Sequence, residues 1–418
     1  MDVRASYAVT GDFPEDMRAL TAHVRNAGME AARQARTAFL AVHVGEIYTR
    51  LTDGHGRYLR LAELSAAANE RFEGLTPDRA ELAREAALPL AEQSGVAIDQ
   101  MLFLAQVLDH EASGAHLCQA MRLPRTDSLD RLGQFIGSGK LGLAAASLER
   151  VGKACYLTLH RPEALNAEDE LSLADVETAV DLALLDPRSE VVVLRGAPID
   201  TPKYAGRRVF CSGINLSHLY QGKIAPLWYL ERELGVLHKI YRGLARPQAQ
   251  AEVFEDTREK PWIAQLDGFA IGGGCQYLLV MDSVVAADDA YLTLPARKEG
   301  IVPGAANLRL PRWVGDRLAR QMVLADRRIE CDSAEGRMIC DVVVAPQRVE
   351  AEVAALIERM TASGVVSFAA NRRAFRLAQE PLDLFRRYMA LYAREQADCH
   401  FSPALIANLR THWRGAKT

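Results

Sequence analysis

The hydrophobic pattern changes period near residue 150, and that change limits the possible folds more than any other feature of the chain. Residues 15–140 are rich in Ala, Leu, Arg and Glu, as in "AELSAAANERF" and "DRAELAREAALPLAEQ", with Gly and Pro mostly at segment ends. Such stretches predict helices. In "LTPDRAELAREAA", Thr76 is the expected N-cap and Pro77 the first helical residue, followed by acidic residues in the early turns. The glycine-rich "FIGSGKLG", 135–142, is the expected linker. Beyond it, "KACYLTLHRP" and "EVVVLRGAP" are short β-branched runs that predict strands. Between them "AEDELSLADVETAVDLALLD" has helical spacing and is closed by Pro187. "PWIAQLDGFAIGGG" adds a strand and a turn, and "QYLLVMDSVVAA" a helix leading into a strand. This alternation is the α/β pattern. From 313 onward helices return, as in "VEAEVAALIERM" and "DLFRRYMALYAREQ". The expected organisation is an N-terminal helical domain (1–148), an α/β core (149–330) and a helical C-terminal region (331–418) that covers the site or builds an oligomer.

Composition narrows the function. A formal net charge of −4, with Arg mixed among Asp and Glu, argues against a nucleic-acid or membrane-surface protein. No uninterrupted apolar run approaches the roughly 18 residues of a membrane span, and "MDVRASYAVTGDF" lacks the apolar core of a signal peptide. The seven cysteines are scattered and form no CxxC pair, which is the usage of a reducing cytoplasm without disulfides or a zinc site. In "HEASGAH", His110 and His116 are six residues apart and cannot share a metal on one helical face. No metal is expected. Cys275 reads as a buried thiol rather than a nucleophile, His160 as structural, and "DGHGRY" (53–58) as a loop.

Two stretches offer bare backbone beside a strand end. "GFAIGGGCQYLLVMD" (268–282) puts three glycines ahead of a helix, and "RRVFCSGINLSHL" (207–219) puts small residues between a strand-like end and a probable helix. Serial glycine serves close backbone approach or tight packing. The chain has neither the GxxxxGKS/T phosphate loop nor a GxGxxG fingerprint. Two free N–H groups in one α/β domain can form an oxyanion hole for a developing enolate.

Four blocks in order carry a resemblance to the crotonase (enoyl-CoA hydratase/isomerase) superfamily: "LHRPEALNAEDE" (159–170), "FCSGINLSHL" (210–219), "QLDGFAIGGGCQYLLVMD" (265–282) and "KEGIVPGAANLRLPRWVG" (298–315). The resemblance implies an α/β fold of stacked ββα turns that binds acyl-CoA. It also implies that the thioester oxygen is held by the backbone N–H groups of Ile214 and Gly273, and that the protein assembles as a homotrimer or a dimer of trimers.

The departures from that family matter as much. Its hydratases carry Glu where this chain has Gln276 and Ala296. An amide accepts no proton near neutral pH and alanine has no acid–base function, so hydration by paired carboxylates is not expected. Glu299 lies three residues from Ala296, an offset expected to aim it elsewhere. An oxyanion hole without the two carboxylates suits a substrate that loses its α-proton easily, such as an arylacetyl-CoA.

Together with the helical N-terminal extension, this pattern is similar to that of a narrower group, the 3,5-dihydroxyphenylacetyl-CoA 1,2-dioxygenases of glycopeptide-antibiotic biosynthesis, which use O2 without metal or organic cofactor. That likeness implies an enolate, an α-peroxide, and release of coenzyme A with 3,5-dihydroxyphenylglyoxylate. It implies Glu168 (with Glu170 as competitor), Arg232 and Gln276 around the ring hydroxyls, and Ile301 and Ala296 lining an O2 pocket. Two other readings stay open: an acyl-CoA isomerase or thioesterase with Glu299 or Glu168 as base, and a silent acyl-CoA-binding scaffold.

Overall fold

The structure is a computed structural model that describes residues 7–204, 206–247, 252–363 and 366–412. The alanine- and leucine-rich N-terminal third forms α1 (Phe13–Asn26), α2 (Met29–Leu51), α3 (Leu61–Arg71), α4 (Arg79–Ala86), α5 (Ala97–Asp109), α6 (Glu111–Arg122) and α7 (Thr126–Ser138). Most of α5 is apolar and buried, because it packs against α2 on one side and a C-terminal helix on the other. The cap of α4 is Asp78, whose carboxylate accepts the Glu81 N–H at 2.7 Å, and not Thr76. Thr76 is buried, with its hydroxyl donating to the Ser65 carbonyl.

The expected linker is also built differently. α7 stops at Gly139, whose φ of +69° ends the helix, and residues 140–142 enter the main sheet at once.

Among the described residues the strands are β1 (Lys140–Gly142), β2 (Ala146–Val151), β3 (Ala154–Leu159), β4 (Val191–Gly196), β5 (Pro198–Ile199), β6 (Arg207–Arg208), β7 (Trp262–Leu266), β8 (Phe269–Ile271), β9 (Ser283–Ala287), β10 (Tyr291–Thr293), β11 (Ile329–Glu330) and β12 (Val342–Val344). The main sheet runs β1-β2-β3-β4-β7-β9-β12, antiparallel up to β3 and parallel thereafter. Its central strands are buried on both faces, which is why "VVVL" and "SVVAA" do not alternate. β8 and β10 pair in parallel in a second, small sheet, and Cys211 bridges Ala270 on its other side.

The chain therefore winds in ββα turns: a main-sheet strand, a short strand in the second layer, then a helix. The helices are α8 (Glu170–Leu185), α9 (Leu216–Tyr220), α10 (Leu227–Glu231), α11 (His238–Arg242), α12 (Gly273–Leu278), α13 (Ala296–Glu299), α14 (Ala306–Leu324), α15 (Val349–Thr361), α16 (Val366–Gln379), α17 (Leu382–His400) and α18 (Pro403–His412). A π-helical turn, Arg232–Leu237, joins α10 to α11. This is the α/β ββα architecture that the resemblance implies, with helices added at both ends.

Buried charge ties the N-terminal helices to the core. Glu177 of α8 accepts from Arg60 at 2.6 Å and from the fully buried Lys239 at 2.7 Å, and Lys239 also donates to Asp181 at 2.7 Å. Removing one partner of such a group would leave an uncompensated buried charge.

Candidate active site

The first wall of the site comes from "RPEALNAED". Leu165 and Asn166 both adopt positive φ (55° and 56°), a turn that Asn tolerates better than most residues. The Asn166 side chain accepts from the Arg161 N–H at 3.0 Å and donates to the Ala197 and Val209 carbonyls at 3.1 and 2.7 Å. One amide therefore pins three segments. Asp169 then caps α8, its carboxylate accepting the Ser172 N–H. Between turn and cap, Glu168 lies extended beside Ile214: its N–H donates to the Gly213 carbonyl at 2.8 Å, and its carbonyl accepts from the Asn215 N–H at 2.7 Å.

That pairing leaves the Ile214 N–H without an acceptor among the described residues. Gly213 has φ +81°, and a Cβ there would lie 3.1 Å from the Gly273 nitrogen, so the two loops meet back to back. Gly273 is the first residue of α12, where an N–H has no intrahelical partner and the dipole is positive. The loop that carries Ile214 therefore lies against the start of α12, where the Gly273 N–H is.

The three glycines have separate reasons. Gly272 turns at φ +51°. A Cβ on Gly273 would fall 2.2 Å from Glu168 Oε2 and 2.9 Å from Arg232 Nη2. A Cβ on Gly274 would fall 2.5 Å from the Cys211 carbonyl.

Arg232 organises the polar group. It begins the π-helical turn, an element that recurs at functional sites. Its Nε donates to Glu168 Oε1 at 2.9 Å and its Nη2 stands 2.8 Å from Glu168 Oε2. Nη1 donates to Gln276 Oε1 at 2.6 Å, and Nη2 to the Gly273 carbonyl at 2.9 Å. Tyr277 donates its hydroxyl to Glu168 Oε1 at 2.7 Å, and its ring lies under the guanidinium at 4.9 Å. Burial is the largest single influence and opposes the arginine's charge, but Glu168, Tyr277 and Glu233 together outweigh it and raise the pKa. Glu233, absent from the sequence-derived set, joins at 3.4 Å from Nη1; burial raises its carboxyl against the pull of Arg309 and Arg232. Gly304 admits it, since a Cβ there would lie 2.1 Å from Glu233 Oε1.

These residues wall an inner cavity. Arg232, Glu233 and Gln276 form its polar side, and Trp228, Leu294, Ala296, Ile301 and Val302 its apolar side. Glu168 supports the polar side through Arg232. Glu170 is turned away, accepting the Ala225 N–H.

α17 closes the cavity. Tyr392 lines it, Gln396 accepts the Val302 N–H at 2.8 Å, and Tyr388 donates to the Gly304 carbonyl at 2.6 Å. An outer cleft, lined by Leu165, Ser212, Asn215, His218 and Tyr291, adjoins it, and Ile214 and Glu299 line both spaces.

Glu299 is therefore a correction. It was expected to point away from Ala296, yet residues three apart on a helix are neighbours, and both line the inner cavity. Burial, reinforced by Asp326 and opposed by Lys298, pushes its carboxyl up to about 8.

The residues set aside have structural positions. Burial holds the Cys275 thiol near 12, and His110 caps α6 while His116 pairs with Tyr48. Among the described residues no group of His, Cys, Asp or Glu is arranged to hold a metal, and no helix is long and apolar enough to cross a membrane.

Residues 149–390 match the family Enoyl-CoA hydratase/isomerase. The chain is 49% identical over 375 residues to the (3,5-dihydroxyphenyl)acetyl-CoA 1,2-dioxygenase of Amycolatopsis orientalis, covering 89% of this chain and 85% of that one. It is 29% identical over 229 residues to the crotonyl-CoA hydratase of Syntrophomonas wolfei, covering 54% of this chain and 79% of the relative. Among solved structures, an enoyl-CoA hydratase from Mycobacterium avium subsp. paratuberculosis superposes with a TM-score of 0.53 at 23% identity, over 64% of this chain and 95% of the other, a likeness of fold.

Proposed function

The chain belongs to the enoyl-CoA hydratase/isomerase family, and from that premise we propose that it is a dioxygenase converting 3,5-dihydroxyphenylacetyl-CoA and O2 to 3,5-dihydroxyphenylglyoxylate and coenzyme A. One observation carries the reading: Gln276 and Ala296 stand where hydratases place their carboxylates, in a chain 49% identical over 375 residues to a dioxygenase of that substrate.

The thioester oxygen rests on the Ile214 and Gly273 N–H groups, coenzyme A occupies the outer cleft, and the aryl group enters the inner cavity. Arg232 and Gln276, backed by Glu168, bind the ring hydroxyls. A bound phenol would find in Arg232 a donor whose charge is fixed and in Gln276 a neutral amide that repels no phenolate. Loss of one α-proton gives an enolate delocalised into ring and thioester, which transfers an electron to O2 beside Ala296 and Ile301. Superoxide and the carbon radical combine into an α-peroxide. Its terminal oxygen attacks the thioester carbonyl and expels the thiolate. The O–O bond then breaks as the second α-hydrogen leaves as a proton, giving ketone and carboxylate. Both oxygen atoms end in the product, one proton goes to the thiolate and one to solvent, and no metal or organic cofactor takes part.

The assembly is a homotrimer or dimer of trimers. Exposed Trp313 on α14 and Phe375 on α16 supply apolar surface of the kind that subunit contacts cover. The free cysteines suit a reducing cytoplasm.

The test is O2 uptake by metal-stripped protein given 3,5-dihydroxyphenylacetyl-CoA, with free thiol followed in the same cell. Equal O2 consumption and thiol release is the expected result. Thiol release without O2 uptake would mean a thioesterase, and neither signal an isomerase or a scaffold.

A further inference from the structure

We propose that the Glu299 carboxylate is the base that accepts the substrate's first α-proton. The assignment rests on the arylacetyl-CoA reading above and names a group which that reading leaves open.

Position carries it. The thioester must straddle inner cavity and outer cleft, because the hole lies where they meet, and Glu299 is the carboxylate that lines both spaces. A Cβ on Gly272 would stand 3.7 Å from Glu299 Oε2 and 3.8 Å from Oε1, so the carboxyl touches the residue just before the Gly273 N–H. A substrate carbon one bond from the held carbonyl comes within its reach.

The competing acids are engaged. Glu168 is held by Arg232 and Tyr277, and Glu233 stands between Arg232 and Arg309. A carboxylate pinned by a guanidinium is a poor base, because taking a proton forfeits the ion pair. The charges acting on the Glu299 carboxyl are Asp326 and Lys298, and no guanidinium is among them. The charged and titratable groups around it are Lys298 on its own helix, Asp326 after α14, and Tyr229 of α10.

The step balances simply. The Cα–H pair becomes the Cα–C π bond, the carbonyl π pair moves to the oxygen held by Ile214 and Gly273, and the proton passes to a Glu299 oxygen. Since Glu299 also lines the outer cleft, it is placed to give that proton to the departing thiolate. A basic carboxyl is suited to this work, since proton transfer is most efficient when the acceptor's pKa lies near the operating pH. The helical offset explains how the family's carboxylate could be lost at position 296 without loss of a base: one turn along α13, a carboxyl faces the same space.

The test compares wild type with Glu299→Gln and Glu299→Asp, using 3,5-dihydroxyphenylacetyl-CoA. Two rates are read: O2 uptake in air, and deuterium entry at the α-carbon in anaerobic D2O by NMR. We expect Glu299→Gln to lose at least 100-fold in O2 uptake while the dissociation constant for the thioester stays within threefold. Glu299→Asp, which keeps the carboxylate, should retain at least tenfold more activity than Glu299→Gln. Thermal melts establish that each variant is folded; should Glu299→Gln not fold, the ratio of Glu299→Asp to wild type, at least fivefold down with unchanged binding, decides in its place. More than a tenth of wild-type O2 uptake in Glu299→Gln overturns the assignment while leaving the dioxygenase standing. If wild type consumes no O2, the dioxygenase reading fails separately. Deuterium entry then decides: loss in Glu299→Gln supports the base, and equal entry in both proteins, or none in wild type, overturns it.

Discussion

Ala296 and Glu299 sit one helical turn apart on α13 and face the same cavity, so the position without a carboxyl and the position with one belong to a single surface. Around that surface the protein holds a cation clamped by two acids and an amide, and an apolar wall.

Glu299 makes stability depend on pH in an unusual direction. Its carboxyl titrates near 8 in the fold, held there first by burial, then by Asp326, against Lys298, and near the ordinary 4.5 when unfolded. Between those values the folded state binds the extra proton, so stability is highest below about pH 4.5 for this group and falls as pH rises to 8. Glu299→Gln should remove that loss, by a few kcal/mol at most, roughly the size set by a shift of this kind. Urea melts at pH 5 and pH 9 check it: the variant should gain on wild type only at the higher pH.

Gly273→Ala keeps the N–H but puts a methyl where Glu168 and Arg232 lie, 2.2 and 2.9 Å away. The pair must move, and with it the wall against the ring and the hole. A kcat loss of roughly 100-fold is expected, in the range seen when an oxyanion donor is displaced. Steady-state O2 uptake measures it, with thioester binding as the control for folding.

Ala296→Leu would fill apolar space beside Ile301. If O2 reacts there, its KM should rise at least fivefold while the dissociation constant of the thioester changes less than threefold. Uptake measured across O2 concentrations separates the two, and an unchanged KM for O2 would move the gas site elsewhere.

Asn166→Ala removes an acceptor from Arg161 and donors to Ala197 and Val209, at a residue of positive φ. Leaving such buried backbone groups unpaired costs about 2–4 kcal/mol in sum. Because Glu168 follows two residues later, denaturation and kcat should worsen together.

Gln276→Glu would set a third carboxylate against Arg232, beside Glu168 and Glu233. Dioxygenation should fall at least tenfold, with no hydratase activity appearing, because the remaining carboxyl, Glu299, stands one turn away from the position that hydratases use. Hydration of crotonyl-CoA, followed by loss of enoyl absorbance, checks the second half.

The sequence by itself determined the helical first third, the α/β alternation and the family, because local signals carry all of these. Period distinguishes helix from strand, apolar runs mark strands buried on both faces, and short glycine motifs mark backbone that must stay bare. Asp78 rather than Thr76 at the cap, and a strand at 140–142 in place of a linker, were matters of a few residues, where neighbouring polar side chains compete for the same N–H.

What only the tertiary structure decided is which side chains share a space. Glu168, Arg232 and Gln276 are separated by 64 and 44 positions and meet through a π turn and three glycines. Glu233 joined them because that turn presents adjacent residues to one cavity. Glu299 entered the site because a three-residue step on a helix preserves its face, and because a cleft and a cavity that no motif encodes happen to share that face. Long-range meetings of this kind depend on packing, and packing has no signature in the spacing of residues along the chain.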